Sequence, residues 1–261
     1  MIAEPLDVVP LWCFFLAATA IGMLAVEAGY RFGNWRHVHA SDEKDGPVGA
    51  MVASILGLLA IMLAFTFHLA ATRFDARRQA VLDEANAIHT TYLRARLLPD
   101  PERSEIAELL RLYTEIRVQS VAESRIAEGI ARSEELHAQL WSRAMAAAEQ
   151  DRRSTMTGLF LQSLNEVINL HSKRVFVGLR SRIPIRIWLA LFTLAVLGMA
   201  SMGYQAGLSE TRRSPGMPIV TLAFAGVLFL IIDLDRASEG SLRVSQQPMI
   251  DLLKTMGAAQ P

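Results

Sequence analysis

Cysteine is almost missing from this sequence. The 261 residues include a single one, Cys13, which lies inside an apolar run. One thiol excludes a disulfide scaffold within the chain and any metal site built from several cysteines. We interpret Cys13 as a small, buried hydrophobic residue.

An excess of charge of either sign is missing as well. Lys and Arg together number 26, Asp and Glu together also number 26, and the formal net charge at pH 7 is zero. Proteins that bind nucleic acid usually carry a basic surplus on one face, because phosphate contacts supply much of the affinity. We therefore expect no nucleic-acid partner.

Sequence motifs of common catalytic centres do not occur. The chain has no HExxH zinc motif, no glycine-rich phosphate loop and no nucleophile elbow. His37 and His39 precede Asp42, Glu43 and Asp45, and this group offers ligands for a metal ion. Because such residues in a connector are commonly just solvated, we predict no metal, no cofactor and no enzymatic activity.

Long runs without charge are what the sequence has in abundance. Hydrophobic residues make up 52% of the chain. Four runs reach the ~20 residues that an α-helix needs to cross a bilayer. They cover residues 8–26, 46–72, 187–209 and 214–232, with lengths of 19, 27, 23 and 19 residues. A soluble domain of this size would not contain four such runs, so we predict four membrane helices.

The first run has the length of a secretory signal peptide, and the Ala-Thr-Ala at 18–20 offers a cleavage site. Signal peptides begin with a positive segment, however, and the residues before this run include Glu4 and Asp7 but no Lys or Arg. We expect a retained membrane helix over about 8–28.

The second run belongs to an unusually long predicted helix. Its uncharged part, residues 46–72, corresponds to roughly 40 Å of helix, which exceeds the ~30 Å hydrocarbon core of a bilayer. Beyond Arg73 no glycine or proline occurs until Pro99. We therefore predict one rod from Pro47 to about Leu98. Its first half would lie in lipid or against other helices, and its second half in water.

One stripe of this rod suits the lining of a pore. Ile61 and Phe65 are one turn apart and would form a hydrophobic constriction. Small or polar residues continue the stripe in both directions, namely Ala50, Ser54, Gly57, His68 and Thr72. The pattern also fits plain packing of Ile61 and Phe65 against a neighbouring helix, so periodicity leaves both interpretations open.

The polar segment between the second and third runs, residues 73–184, reads as helix throughout, and strand-like alternation is missing from it. We expect one helix to start around Glu102 and to end near Gly129. A later helical stripe is formed by Phe160, Leu164, Val167, His171 and Val175. The predicted fold class is all-α: a four-helix transmembrane protein with a helical bundle between the second and third membrane helices.

Basic residues near the membrane ends indicate the orientation of the chain. Nine lie on the side of both termini and the polar segment: Arg73, Arg77, Arg78, Lys173, Arg174, Arg180, Arg182, Arg236 and Arg243. Five lie on the opposite side: Arg31, Arg36, Lys44, Arg212 and Arg213. Because Lys and Arg favour the cytoplasmic side, we place both termini and the bundle in the cytoplasm.

The predicted organisation has four parts. A first transmembrane hairpin covers residues 1–72, with helices at about 8–28 and 47–72. A cytoplasmic helical domain covers 73–184. A second hairpin covers 185–233, with helices at about 187–209 and 215–233, and a cytoplasmic tail with one short helix at 249–256 covers 234–261.

Two motifs resemble a known family. The run LLAIMLAFTFHLAATRFDARR resembles the second membrane helix of bestrophins, in which an Arg-aromatic pair follows a Leu-Gly-Phe-like turn. The matching residues are Leu63, Ala64, Phe65, Arg73, Phe74 and Arg77. The continuation EANAIHTTYLRARLLP, residues 84–99, resembles the signature of a bacterial bestrophin-like family. This resemblance implies an oligomeric ion channel of the bacterial inner membrane, with a homopentamer as the expected assembly.

The resulting hypothesis assigns the pore to the second membrane helix. Ile61 and Phe65 would form the neck, and the remaining pore-lining residues would be Ser54, Gly57, His68 and Thr72. The cytoplasmic mouth would carry Arg73, Arg77 and Arg78, although these cations also fit ordinary anchoring at the inner face. The partners would be other copies of the chain, membrane lipid and an ion of either sign.

Two alternatives stay open. The protein could be a non-conducting membrane scaffold or sensor whose helical domain binds a protein partner through faces between Ser104 and Lys173. The run from Asp233 to Glu239 lies where animal bestrophins have an acidic calcium site, but it is much less acidic. For that run we favour a salt bridge or a helix end.

Overall fold

The computed structural model describes residues 9–39, 45–122, 125–209, 216–236, 240 and 242–258. Within these ranges the chain forms eight α-helices and no strand, which confirms the predicted all-α fold. The helices are α1 Leu11–His39, α2 Asp45–Ala95, α3 Glu102–Ala122, α4 Ile126–Gln150, α5 Thr155–Leu179, α6 Ile185–Leu208, α7 Gly216–Asp235 and α8 Gln247–Ala258.

Four of these helices are long and apolar enough to cross a membrane: α1, α2, α6 and α7. They contain the four uncharged runs of the sequence. The second, α2, is 51 residues long and continues from the apolar run into the polar segment without a break. This continuity follows from the lack of glycine and proline between Arg73 and Pro99.

The chain divides into two compact units, and the division falls within α2 between Arg73 and Phe74. We call Ile2–Arg73 with Arg182–Leu242 the membrane unit, because it holds α1, α6, α7 and the apolar half of α2. We call Phe74–Ser181 with Arg243–Pro261 the bundle unit, because it holds the polar half of α2 with α3, α4, α5 and α8.

Close backbone contact joins α1 and α6 in the membrane unit. A Cβ atom added at Gly29 would overlap the carbonyl of Ala200, and one added at Gly203 would overlap the carbonyl of Val26 and lie 3.0 Å from the amide nitrogen of Tyr30. Gly33 and Gly207 repeat the arrangement one turn further on. This pairing of small residues four apart explains why α1 does not end near residue 28, as the charge pattern predicted, but continues as helix to His39.

The bundle unit has a single hydrophobic core built from all of its helices. Its fully buried members include Ile88, Ile106, Leu110, Tyr113, Leu140, Phe160, Leu164 and Met249. The short helix predicted at the tail is present as α8, and its apolar side supplies Met249, Leu252 and Met256 to this core. The helical stripe from Phe160 to His171 is the buried side of α5.

A second predicted helix boundary also differs from the structure. The helix that starts at Glu102 ends at Ala122 instead of near Gly129. Gly129 lies inside the next helix, where a Cβ atom would overlap the side chain of Ser120. Its small size therefore serves the close packing of α3 on α4, which periodicity could not distinguish from a helix end.

The glycine contact predicts a position-specific effect on stability. Gly203→Ala should destabilise the protein by about 1–3 kcal/mol, because the added methyl meets backbone atoms of α1 that cannot rotate away. The measurement is the thermal unfolding midpoint in detergent. Gly226→Ala on α7 is the matched control, because nothing lies within 4 Å of its Cβ position. Equal midpoints for the two variants would contradict the proposed contact.

Candidate functional site

One side of α2 in the membrane unit carries the residues predicted to line a pore. Ile61 and Phe65 expose 56% and 69% of their surface in the single chain. The other four residues of that stripe, Ser54, Gly57, His68 and Thr72, are exposed as well. None of the six is used to pack this subunit, so the whole stripe is available to a partner, to lipid or to water.

The opposite side of α2 makes the contacts within the subunit. The buried residues of this side are Val52, Leu59, Leu63, Thr66 and Ala70. At about 100° of rotation per residue, their mean direction is roughly opposite to that of the stripe from Ser54 to Thr72. The helix thus has one packed side and one free side along its apolar half.

The hydroxyl groups of the free side are satisfied by the helix itself. Ser54 Oγ donates to the carbonyl oxygen of Ala50 at 2.8 Å, and Thr72 Oγ1 donates to that of His68 at 2.9 Å. Such bonds to the preceding turn remove the cost of exposing a hydroxyl group to an apolar surrounding. They leave the hydroxyl oxygens able to accept a further hydrogen bond.

The three basic residues predicted for the cytoplasmic mouth differ in their surroundings. A guanidinium nitrogen of Arg73 lies 3.7 Å from a carboxylate oxygen of Asp235 in the membrane unit. Arg77 is buried, with 5% of its surface exposed, whereas Arg78 is exposed. In the single subunit the exposed charge of this group is therefore that of Arg78.

Asp235 organises the end of α7. Its Oδ1 atom accepts a hydrogen bond from the backbone N–H of Ile183 at 3.1 Å, and its carbonyl oxygen accepts one from Arg182 at 2.6 Å. With Arg73 nearby, Asp235 takes part in an ion pair and in the connection between α7 and the segment before α6.

Among the residues that the structure describes, no group of three or more His, Cys, Asp and Glu residues could hold a metal ion. His39 Nδ1 donates a hydrogen bond to the carbonyl oxygen of Trp35, 2.8 Å away, within α1. Asp42 and Glu43, the acidic residues considered with it, lie outside the described residues.

A buried ionic cluster lies in the bundle unit. Glu84 on α2 is fully buried, and its carboxylate lies 2.5 Å from Arg174 of α5 and 3.2 Å from Arg117 of α3. Arg174 also donates to Gln246, just before α8, at 2.6 Å. One carboxylate thus joins four segments of the chain, and charged groups at this depth are stable only when paired.

A chain of hydrogen bonds leads from this carboxylate to a histidine. The hydroxyl of Tyr113 donates its one proton to Glu84, so the oxygen of Tyr113 must accept from Nδ1–H of His171, 3.1 Å away. His171 thus carries a hydrogen on Nδ1. Its Nε2 atom is buried and has no hydrogen-bond partner among the described residues.

Reasoning from the sequence missed this cluster. Glu84 stood at the start of the bacterial signature motif, and His171 stood on an otherwise apolar stripe of α5, which was the one available signal. The cluster's six members come from four helices: Glu84, Tyr113, Arg117, His137, His171 and Arg174. Sequence spacing relates positions on one helix only, so the meeting of these side chains was not visible.

The family of the chain follows from comparison with known proteins. The model of the bestrophin-like domain matches residues 15–249, which is most of the chain. The protein therefore belongs to the bestrophin-like domain family, and the resemblance drawn from the α2 motifs is confirmed. No curated protein sequence matches the chain.

Solved structures show the same fold. A point variant of a bacterial bestrophin homolog from Klebsiella pneumoniae has a TM-score of 0.67 and 15% identity, and the match covers 96% of this chain and 99% of that one. Another crystal structure of a bestrophin homolog from that organism has a TM-score of 0.64 and 15% identity, with 97% and 100% covered. A third crystal structure, described as a membrane protein, has a TM-score of 0.66 and 15% identity. That match covers 97% of this chain and 100% of the other.

The ionic cluster predicts a large cost for removing one charge. Glu84→Gln should destabilise the protein by about 3–5 kcal/mol, because Arg117 and Arg174 would lose their buried counter-charge. Chemical denaturation followed by helical circular dichroism measures this effect. Glu134→Gln is the control, since Glu134 is exposed on α4 of the same unit. A Glu84→Gln variant as stable as the control would show that the cluster contributes nothing net.

Proposed function

We propose that the protein is an oligomeric ion channel of the bacterial inner membrane, with α2 lining a central pore. The observation that carries this proposal is the free side of α2. In the single subunit, Ile61 and Phe65 are exposed at the middle of a membrane helix whose opposite side supplies all of its buried contacts. Membership of the bestrophin-like family supports the same assignment.

A pore of this kind needs several copies of the chain. Four membrane helices per subunit are too few to enclose a wide water-filled path, and three of them pack through glycines and apolar side chains. Copies of α2 around an axis would bring together rings of Ile61 and Phe65, one turn apart. Such apolar rings exclude water at small diameters and so control ion passage. By its resemblance to bestrophins we propose a homopentamer.

The polar residues of the free side would line the pore on both sides of this neck. Ser54 and Gly57 precede it, and His68 and Thr72 follow it. Arg73, Arg77 and Arg78 would surround the cytoplasmic mouth, with the exposed Arg78 contributing most to the local field because Arg73 is near Asp235. We propose that both termini and the bundle unit lie in the cytoplasm, because the distribution of Lys and Arg favours this orientation.

A second candidate function is a membrane scaffold without conduction. One observation favours it: Trp141 and Met145, one turn apart on α4, expose 38% and 44% of their surfaces on the bundle unit. Exposed aromatic and methionine side chains are typical of protein-binding surfaces. The two functions differ in whether the purified protein carries ions across a lipid bilayer.

Ion flux through liposomes tests the channel directly. Phe65→Ala should raise the flux severalfold over the wild type, because truncation of the neck ring widens the constriction and lets water enter. Phe67→Ala is the matched control: Phe67 has the same side chain two residues away, is 42% exposed, and lies about 120° away from the mean direction of the free side. Its flux should equal that of the wild type.

Lack of flux in the wild type, at protein densities where an oligomer is present, would contradict the channel and favour the scaffold. An equal increase for Phe65→Ala and Phe67→Ala would contradict the proposed neck and place the constriction elsewhere. The symmetry of particles in electron micrographs reports independently on the number of subunits.

A further inference from the structure

His137 on α4 packs against the ionic cluster of the bundle unit. Its ring centroid lies 4.9 Å from that of Tyr113 and 4.8 Å from that of His171, with the two imidazole rings in an edge-to-face arrangement. The residue exposes 8% of its surface, and its Nε2 atom is buried without a hydrogen-bond partner among the described residues. If His137 gains a proton, its Nε2–H therefore has no hydrogen-bond acceptor among the described residues.

The charges around His137 are unbalanced. Glu84 of α2 supplies one negative charge, whereas Arg117 of α3 and Arg174 of α5 supply two positive charges. Tyr113 of α3 is an uncharged neighbour, and His171 of α5 is a second imidazole, whose Nδ1 lies 3.1 Å from the hydroxyl of Tyr113. With its histidines neutral the cluster already carries a formal charge of +1, and a proton on His137 would raise it to +2.

We propose that His137 is an acid sensor of the bundle unit: when it gains a proton, α4 detaches from the cluster that α2, α3 and α5 share. The imidazole accepts the proton reversibly. In the released state, water hydrates the new positive charge. This inference goes beyond the channel assignment, because it concerns the stability of the bundle unit and holds whether or not the protein conducts ions.

The direction of the pH response follows from the surroundings of His137. Burial lowers the pKa of His137 from its ordinary value of 6.5 to about 4; His171 and Arg117 act in the same direction, and Glu84 opposes them. In the released state the imidazole meets water and regains its ordinary pKa. The released state therefore binds the proton first as the pH falls, so the packed state is fully favoured above about pH 6.5 and loses stability between about 6.5 and 4.

The size of the response follows from the same two values. The pKa of His137 is 6.5 in the released state and about 4 in the packed state. With these values, lowering the pH from 7.5 to 5 shifts the equilibrium toward the released state by roughly 30-fold. A shift of this size increases the population of the state in which α4 is locally open by the same factor.

Hydrogen exchange on the full-length protein in detergent tests the proposal. We expect amide exchange in α4, Ile126–Gln150, to become roughly 30-fold faster in the wild type when the pH falls from 7.5 to 5. This value applies after correction for the intrinsic effect of pH on exchange. His137→Gln should lose most of this increase, because glutamine cannot gain a proton. His89→Gln, which replaces an exposed histidine on α2 in the same unit, should keep the wild-type response.

A measurement that needs no variant guards against a misfolded His137→Gln protein. Exchange of the C2 proton of each histidine, read by mass spectrometry on the wild type, gives a titration midpoint for His137 itself. A depressed midpoint together with opening of α4 supports the proposal. A midpoint near the ordinary value, or a pH response that His137→Gln leaves unchanged, would overturn it without any bearing on ion conduction.

Discussion

The 51-residue helix α2 keeps one narrow side buried from Val48 to Ala95, and this constraint governs the rest of the molecule. In the apolar half the buried side consists of residues such as Leu59 and Ala70. In the polar half the same side carries Glu84, whose carboxylate has to be paired because water cannot reach it. The buried side of α2 thus determines its partners. In the apolar half it packs against apolar helices, and in the polar half it pairs with the cations Arg117 and Arg174.

Much of the fold could be predicted from the sequence, because it depends on local patterns. Charge-free runs identified the four candidate membrane helices, and the lack of breakers between Arg73 and Pro99 identified the long helix. Family motifs on that helix were correct as well. The errors were at helix ends, where Gly29 and Gly129 proved to be sites of close packing inside helices. A glycine in the sequence can mark a helix end or a close contact between two helices. Only the neighbouring helix shows which of the two is present.

The candidate sites divide along the same line. The exposed stripe of α2 could be predicted as a set, because its residues share one helix and one period. Whether these residues face a pore depends on other copies of the chain, which no pattern within one sequence describes. The ionic cluster could not be predicted, since Glu84, Arg117 and Arg174 are separated by tens of residues and meet only after four helices pack. Each of these residues taken alone resembles an ordinary surface charge.

The two sides of α2 suit different tasks because they are physically separate. The free side is exposed in the single subunit, so we expect its residues to change with little cost to folding and to be available to an assembly. The packed side carries a carboxylate that joins α2, α3 and α5, so it fixes the bundle and makes its stability depend on charge. The proton that we propose for His137 would act through Glu84 and its partners, on the packed side. The channel proposal and the acid-sensor proposal therefore depend on different sides of α2.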